Sequence, residues 1–217
     1  ASATGDIHLG NIGIVDVTAT DVQATAGAIT LGAETNITLD TVIAGGGDAT
    51  VTAGGNILGD GDSDDDDIRA ETITLIAEGT IGAGTGVDAV SVDAGEAVNA
   101  DADDNNIFLE ATNAASLPLG IVDAGTGDVD IDATGVSISD ANNAAVNVVG
   151  AKLNVVSAAG IGTAADAIET GVGTLTVTVN TAGVVNIQNT GALDIAGIDN
   201  DGTDATVVNM LGSISTS

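Results

Sequence analysis

Short runs in which apolar and polar residues alternate recur along the whole chain and constrain its fold more than any other feature. The runs are three to six residues long, are rich in Ile, Val, Leu and Thr, and end at Gly, Asn or Asp. A period of two is typical of β-strands, and no helical period is sustained. Representative runs are Asp6-Ile7-His8-Leu9, Ala28-Ile29-Thr30-Leu31, Asn36-Ile37-Thr38-Leu39, Thr72-Ile73-Thr74-Leu75, Asn106-Ile107-Phe108-Leu109 and Thr174-Leu175-Thr176-Val177-Thr178-Val179. The pattern predicts an all-β protein.

Many short strands joined by glycine corners fit either an antiparallel sandwich or a solenoid of stacked coils. Internal repetition favours the solenoid. The segments Val51–Gly59 and Leu75–Gly82 share a template of strand, Ala, Gly, Ile and Gly, which places Ile57 and Ile81 24 residues apart. Val156–Gly162 follows the same template with a shift of one residue. We therefore predict a parallel β-helix of roughly nine or ten coils and about 45 Å in length.

The near absence of aromatic side chains supports a repeating fold. The chain has one Phe, Phe108, and no Trp or Tyr, while 44% of its residues are hydrophobic. Compact domains normally fill irregular core space with aromatics. Small aliphatic residues that stack on equivalent residues of the next coil do not need them.

The charge restricts the partners. The 32 acidic residues face only Arg69 and Lys152, which leaves a net charge of −30. Nucleic acids and anionic lipid surfaces both need a basic footprint, so neither is an expected partner. No apolar run approaches the roughly 20 residues that span a bilayer, and membrane insertion is not expected either. The chain has no cysteine, which excludes disulfide and thiolate chemistry.

Residues 1–217 are expected to form a single β-solenoid segment without recognisable end caps. Neither Gly5–Val17 nor Val207–Ser217 contains an amphipathic helix or a polar closing segment. An open terminal coil offers unpaired backbone to another chain. The expected partners are therefore adjacent β-helix coils, either in a longer rod or in copies of the same chain stacked end to end.

An acidic run is the strongest candidate for a binding site. Counting from the first aspartate, carboxylates occupy positions 1, 3, 5 and 7, and a glutamate occupies position 12; these are Asp60, Asp62, Asp64, Asp66 and Glu71. Calcium prefers six to eight hard oxygen ligands, and alternate residues of a loop can supply them. The sixth position lacks the glycine of an EF-hand, and no helices flank the loop. We predict a looser aspartate-loop Ca²⁺ site, with a solvated acidic loop as the alternative.

Several glycine-rich patches resemble the repeats of filamentous-haemagglutinin-like giant bacterial surface proteins. They are Gly160–Thr170 with the following Val172–Val177, Gly79-Thr80-Ile81-Gly82 and Gly191-Ala192-Leu193-Asp194-Ile195. The resemblance implies that the β-helix is right-handed and that the chain is a shaft, exported to the cell surface and used in adhesion or cell–cell contact. Any host or cell-surface receptor would then be bound elsewhere in the parent protein. The family's amino-terminal secretion domain is not visible in the chain.

An enzymatic role is not expected. β-Helix enzymes that act on polysaccharides need aromatic platforms and basic residues against acidic substrates, and this chain has almost none of either. His8 is the only histidine and alternates with the apolar Ile7 and Leu9, so it is predicted to face solvent rather than a catalytic partner. Two structural functions remain: a shaft segment of an extracellular adhesin, and a self-assembling subunit of an extracellular filament or sheath.

Overall fold

The computed structural model of the chain is a β-solenoid of about nine turns. It describes residues 1–11, 13, 15–62, 66–111, 114–181, 183–201, 205–209 and 212–217. The strands are β1 (Ser2–Ala3), β2 (Ile7–Asn11), β3 (Val17–Ala19), β4 (Val22–Ala24), β5 (Ile29–Ala33), β6 (Ile37–Leu39), β7 (Val42–Ala44), β8 (Ala49–Ala53), β9 (Ile57–Leu58), β10 (Ile68–Ala77), β11 (Val90–Asp101), β12 (Ile107–Glu110), β13 (Leu117–Asp123), β14 (Asp128–Ala133), β15 (Ile138–Asp140), β16 (Val148–Ser157), β17 (Ile168–Val179), β18 (Val185–Asn189), β19 (Leu193–Asn200), β20 (Ala205–Asn209) and β21 (Ile214–Thr216). A short 3-10 helix covers Gly86–Asp88.

Every pairing between the described strands is parallel, and each strand pairs with its equivalent about one coil later. The pairs β2 with β5 and β5 with β8 keep a continuous register, as do β16 with β17. Parallel neighbours about 20 residues apart exclude the antiparallel sandwich, which would pair consecutive strands through hairpins. The predicted solenoid is confirmed.

One row of inward-facing aliphatic residues passes through the stack as far as Ile195. Each member lies directly over the equivalent residue of the previous coil, in parallel register. The row consists of Val17, Ile37, Ile57, Ile81, Ile107, Val129, Leu153, Leu175 and Ile195. Ile57 and Ile81 thus belong to the same row, as their template predicts.

The third copy of the template lies in a different row. Ile161 pairs with Ile138 on one side and Val185 on the other, and these residues form a separate stack. The shifted Val156–Gly162 segment therefore turns a different corner of the coil. Similar short sequences suit more than one corner because each corner needs the same glycine and small aliphatic residues.

The core is one continuous aliphatic cluster from the first coil to Leu193. Ile57, Ile81, Ile107 and Leu175 have no exposed surface. Each fully buried side chain of this size contributes on the order of 1.5–3 kcal/mol. Stacking equivalent small residues fills the interior without aromatics, and Phe108 itself lies on the outward side of β12, half-buried.

An aspartate or asparagine at the corners links each coil to the next, and we call these residues the corner acceptors. Each precedes an inward-facing aliphatic residue, and its side-chain oxygen accepts a hydrogen bond from the backbone N–H of the equivalent residue in the next coil, at 2.7–3.2 Å. The corner acceptors are Asp6, Asp16, Asn36, Asp48, Asn56, Asp67, Asn106 and Asn147.

At some corners a glycine lies above the corner acceptor and leaves room for its side chain. Asn56 Oδ1 accepts from the backbone N–H of Thr80 at 2.8 Å. Gly79 lies directly over that oxygen, and a Cβ at Gly79 would overlap it. Gly55 has the same relation to Asn36. The glycine and the corner acceptor are therefore parts of one motif.

We expect Gly79→Ala to reduce the free energy of unfolding by about 1–3 kcal/mol, because the new methyl group overlaps Asn56 Oδ1. Urea unfolding followed by circular dichroism measures the change. Gly32→Ala is the matched control, since a Cβ there meets nothing within 4 Å.

In the double variant Gly79→Ala/Asn56→Ala the methyl group no longer meets the amide. Its cost is therefore expected to be smaller than the sum of the two single changes. Equal losses for Gly79→Ala and Gly32→Ala, or simple additivity in the double variant, would contradict the corner motif.

Candidate functional site

The predicted aspartate loop connects β9 to β10 at one corner of the solenoid. Asp60 and Asp62 are exposed and Asp66 is half-buried, while Asp64 lies outside the described residues. Asp60 Oδ1 accepts a hydrogen bond from the backbone N–H of Asp62 at 3.1 Å, which closes a tight turn. The described start of the loop, at Asp60 and Asp62, is therefore exposed to solvent.

Glu71 does not share this corner. It follows the extended segment Ile68–Ala70, which amounts to about 10 Å of strand between it and the loop. Its backbone N–H donates to Gly47 O at 3.0 Å, and its side chain shares a surface hollow with Arg69 and Asp93. Position 12 of the counted pattern thus belongs to the next corner of the coil.

No group of three or more His, Asp or Glu side chains able to hold a metal ion occurs among the residues that the structure describes. The described part of the loop contributes Asp60, Asp62 and Asp66. Calcium binding by the aspartate loop stays a prediction.

Asp67, next to the predicted site, is a buried carboxylate that the spacing argument passed over. Its exposed fraction is 5%. Oδ1 accepts from the backbone N–H of Asp60 at 3.2 Å, and Oδ2 accepts from the backbone N–H of Ser91 at 2.7 Å. Asp67 therefore fixes the base of the loop and links two coils.

Burial raises the pKa of Asp67 to about 7. The two backbone N–H donors, Ser91 and Asp60, oppose this shift, and the negative charges of Asp60 and Asp62 add to it. Desolvation is the largest effect because only 5% of Asp67 is exposed. The loop is thus anchored by an acid whose protonation changes near neutral pH.

A sequence signal for Asp67 does exist. It immediately precedes the inward-facing Ile68, just as Asn36 precedes Ile37 and Asn56 precedes Ile57. Counting carboxylates along the loop hid this register, because Asp67 is one of four consecutive aspartates.

The only histidine and the only lysine of the chain both reach the surface. His8 is exposed, as predicted, between the inward-facing Ile7 and the partly exposed Leu9. Lys152 is half-buried and lies in register between Asp128 and Thr174 of the adjacent coils. No helix in the described residues is long and apolar enough to cross a membrane.

Comparisons with protein-family models, curated proteins and solved structures found no match. The class that the fold defines is a parallel β-solenoid. The resemblance to filamentous-haemagglutinin-like proteins and the expectation of a non-enzymatic role stay predictions.

Asp67→Asn should remove part of the pH dependence of stability. The folded-state pKa of Asp67 is raised, so its contribution to stability is complete below about pH 4 and is lost as the pH rises through 7. We expect the free energy of unfolding of the variant, taken relative to that of the wild type, to rise by on the order of 3 kcal/mol from pH 4 to pH 8. Urea unfolding at both pH values measures this.

The control is Glu96→Gln, which removes one exposed carboxylate from the neighbouring coil. It should leave the pH profile close to that of the wild type. An unchanged profile for Asp67→Asn would show that the buried carboxylate does not titrate in this range.

Proposed function

We propose that the chain is a rigid structural rod, a shaft segment of an extracellular bacterial surface protein of the filamentous-haemagglutinin-like class. The observation that supports this most is the aliphatic row from Val17 to Ile195, in which each residue pairs with the equivalent residue of the next coil. A shaft holds a distal receptor-binding part away from the cell surface. Such a task needs length and stiffness.

The direction of the hydrogen bonds supports stiffness. Strand hydrogen bonds in a parallel solenoid run along the stack, and the corner acceptors add bonds in the same direction between coils. Bending the rod has to lengthen the bonds on one side. Since each coil contacts mainly its neighbours, the rod can be lengthened by adding coils without redesigning the core.

The surface charge supports an extracellular location. Carboxylates of adjacent coils lie side by side, as at Asp101 with Asp123 and Glu110 with Asp132. Burial, and then the charge of Asp132, raise the pKa of Glu110. A net charge of −30 keeps rods from associating side by side, and the salt of an extracellular medium screens the repulsion within each rod.

The second candidate is a filament subunit that stacks on copies of itself. Apolar residues of the first and last coils favour it, since Leu9 is 46% exposed and Ile214 is 47% exposed. A hollow of about 320 Å³ opens beside Leu9, Val17 and Leu31 in the first coils. An added coil would cover these residues with the same stacking used inside the rod.

Negative-stain electron microscopy across protein concentrations, combined with sedimentation velocity, tests these functions. A shaft segment should give discrete rods roughly 45 Å long at all concentrations. A filament subunit should give fibres of constant width whose length increases with concentration.

Leu9→Asp separates a specific stack from irregular aggregation. It places a charge on the apolar end and should abolish fibres while leaving the circular dichroism spectrum unchanged. Compact globular particles for the wild type would overturn both functions.

A further inference from the structure

A second corner of the solenoid collects oxygen acceptors that have no donor. It lies where β15 ends at Asp140 and the chain turns back to β16 at Val148. Asp140, Asn142 and Asn147 come from one coil, and Glu169 comes from the next. The residues are far from the aspartate loop, in coils nearer the C-terminus.

Asn147 holds this corner together. Its side chain has no exposed surface. Nδ2 donates to Asp140 Oδ1 at 2.7 Å and to Leu119 O at 2.9 Å, and Oδ1 accepts from the backbone N–H of Glu169 at 2.9 Å. Asn147 thus connects the Asp140 carboxylate to the backbone N–H of Glu169.

Asn142 is fixed from the other side. Its backbone N–H donates to Asp140 Oδ1, and its Nδ2 donates to Gly120 O, both at 2.8 Å. The bond to the Gly120 carbonyl needs the nitrogen on that side, so Oδ1 has to point the other way. The orientation of the amide is therefore determined.

Three oxygen atoms of this corner are buried and lack a hydrogen-bond partner: Asp140 Oδ2, Asn142 Oδ1 and Glu169 Oε2. All three are acceptors, so they cannot satisfy one another. Nearly all buried polar atoms in folded proteins have a partner. A donor or a cation from the solvent would satisfy this set.

The two carboxylates also lack a neutralising side chain. The only basic residues are Arg69 and Lys152. Lys152 lies five residues along the strand from Asn147, roughly 15 Å away, and Arg69 belongs to a coil several turns earlier. Burial, and then the charges of Asp140 and Asp166, raise the pKa of Glu169, which agrees with an uncompensated negative site.

We propose that Asp140, Asn142 and Glu169 bind a divalent cation of the calcium class between two coils. Two carboxylates and one amide oxygen are the hard ligands that Ca²⁺ takes, and water would complete its coordination. The ion would tie the turn after β15 to the coil that carries Glu169. This site is distinct from the aspartate loop and does not depend on whether the rod is a shaft or a filament subunit.

The test is a CaCl2 titration of the ¹⁵N-labelled chain by NMR, together with thermal unfolding in calcium and in chelator. We expect chemical-shift changes at the backbone N–H groups of Asn142, Asn147 and Glu169, and a melting temperature that rises by several degrees in calcium. Shifts confined to Asp60–Asp62 and Asp66–Asp67, or no shifts, would overturn the proposal.

Glu169→Gln is the decisive variant. It removes one charge and supplies a side-chain N–H that can reach the unpartnered acceptors, so the fold should be at least as stable without calcium. Its calcium-dependent rise in melting temperature should disappear. Glu110→Gln is the matched control, because it removes a carboxylate from another cross-coil acidic pair, Glu110 with Asp132, and should keep the rise.

A wild type whose melting temperature does not rise in calcium would show that no cation binds these acceptors, whether or not lowering the pH stabilises it, since Asp67 also contributes to stability at low pH. That result would overturn the cation site. A calcium response that survives Glu169→Gln would do the same, since the ion would then bind elsewhere.

Discussion

The hydrogen bond from a backbone N–H to the corner acceptor of the previous coil is the interaction on which the rest of the structure depends. Strand pairing satisfies the backbone along the flat sides of each coil, but at the corners the chain changes direction and strand geometry is lost. An unpaired buried N–H costs about 1–3 kcal/mol. At Asn36, Asn56, Thr80 and Asp128 a side-chain oxygen from the coil below accepts this N–H.

This constraint accounts for part of the unusual composition. Several corners combine a short acceptor, Asp or Asn, with a glycine in the next coil that leaves space for it, as Gly79 does for Asn56 and Gly55 for Asn36. The corners therefore supply both acidic residues and glycines along the chain. Between corners, small aliphatic residues stack in rows. A protein built in this way is rich in glycine and almost free of aromatics for reasons of packing, whereas only four of its 32 acidic residues are corner acceptors in the described part of the chain.

The same constraint connects the fold to the two candidate sites. Asp67 and Asn147 are both corner acceptors, bound to the N–H groups of Ser91 and Glu169. Beside Asp67 the connection to β10 is expanded into the aspartate loop, and beside Asn147 the turn after β15 brings Asp140 and Asn142 to the same corner. Sites on this rod thus arise where a corner carries additional residues.

Much of the fold could be predicted from the sequence because it is local and periodic. Alternation locates the strands, and the 24-residue interval from Ile57 to Ile81 matches one coil. The sites are harder to predict from the sequence because they depend on the register between coils of unequal length. For example, 20 residues separate Asn36 from Asn56, and 24 separate Asn56 from Thr80. Counting along the chain assigned Glu71 to the loop, although a strand segment separates them. Spacing along the chain also does not predict the contact between Glu169 and Asn147, which lies 22 residues earlier.

Site-resolved hydrogen–deuterium exchange of the backbone amides tests the central claim most directly. The corner amides of Asn56, Thr80 and Asp128 should exchange as slowly as amides in the middle of β8 and β14, because each donates to a side-chain oxygen of the previous coil. In Asn56→Ala, the amide of Thr80 should lose this protection while that of Asp128 keeps it. Corner amides that exchange as fast as those of exposed turns in the wild type would contradict the account.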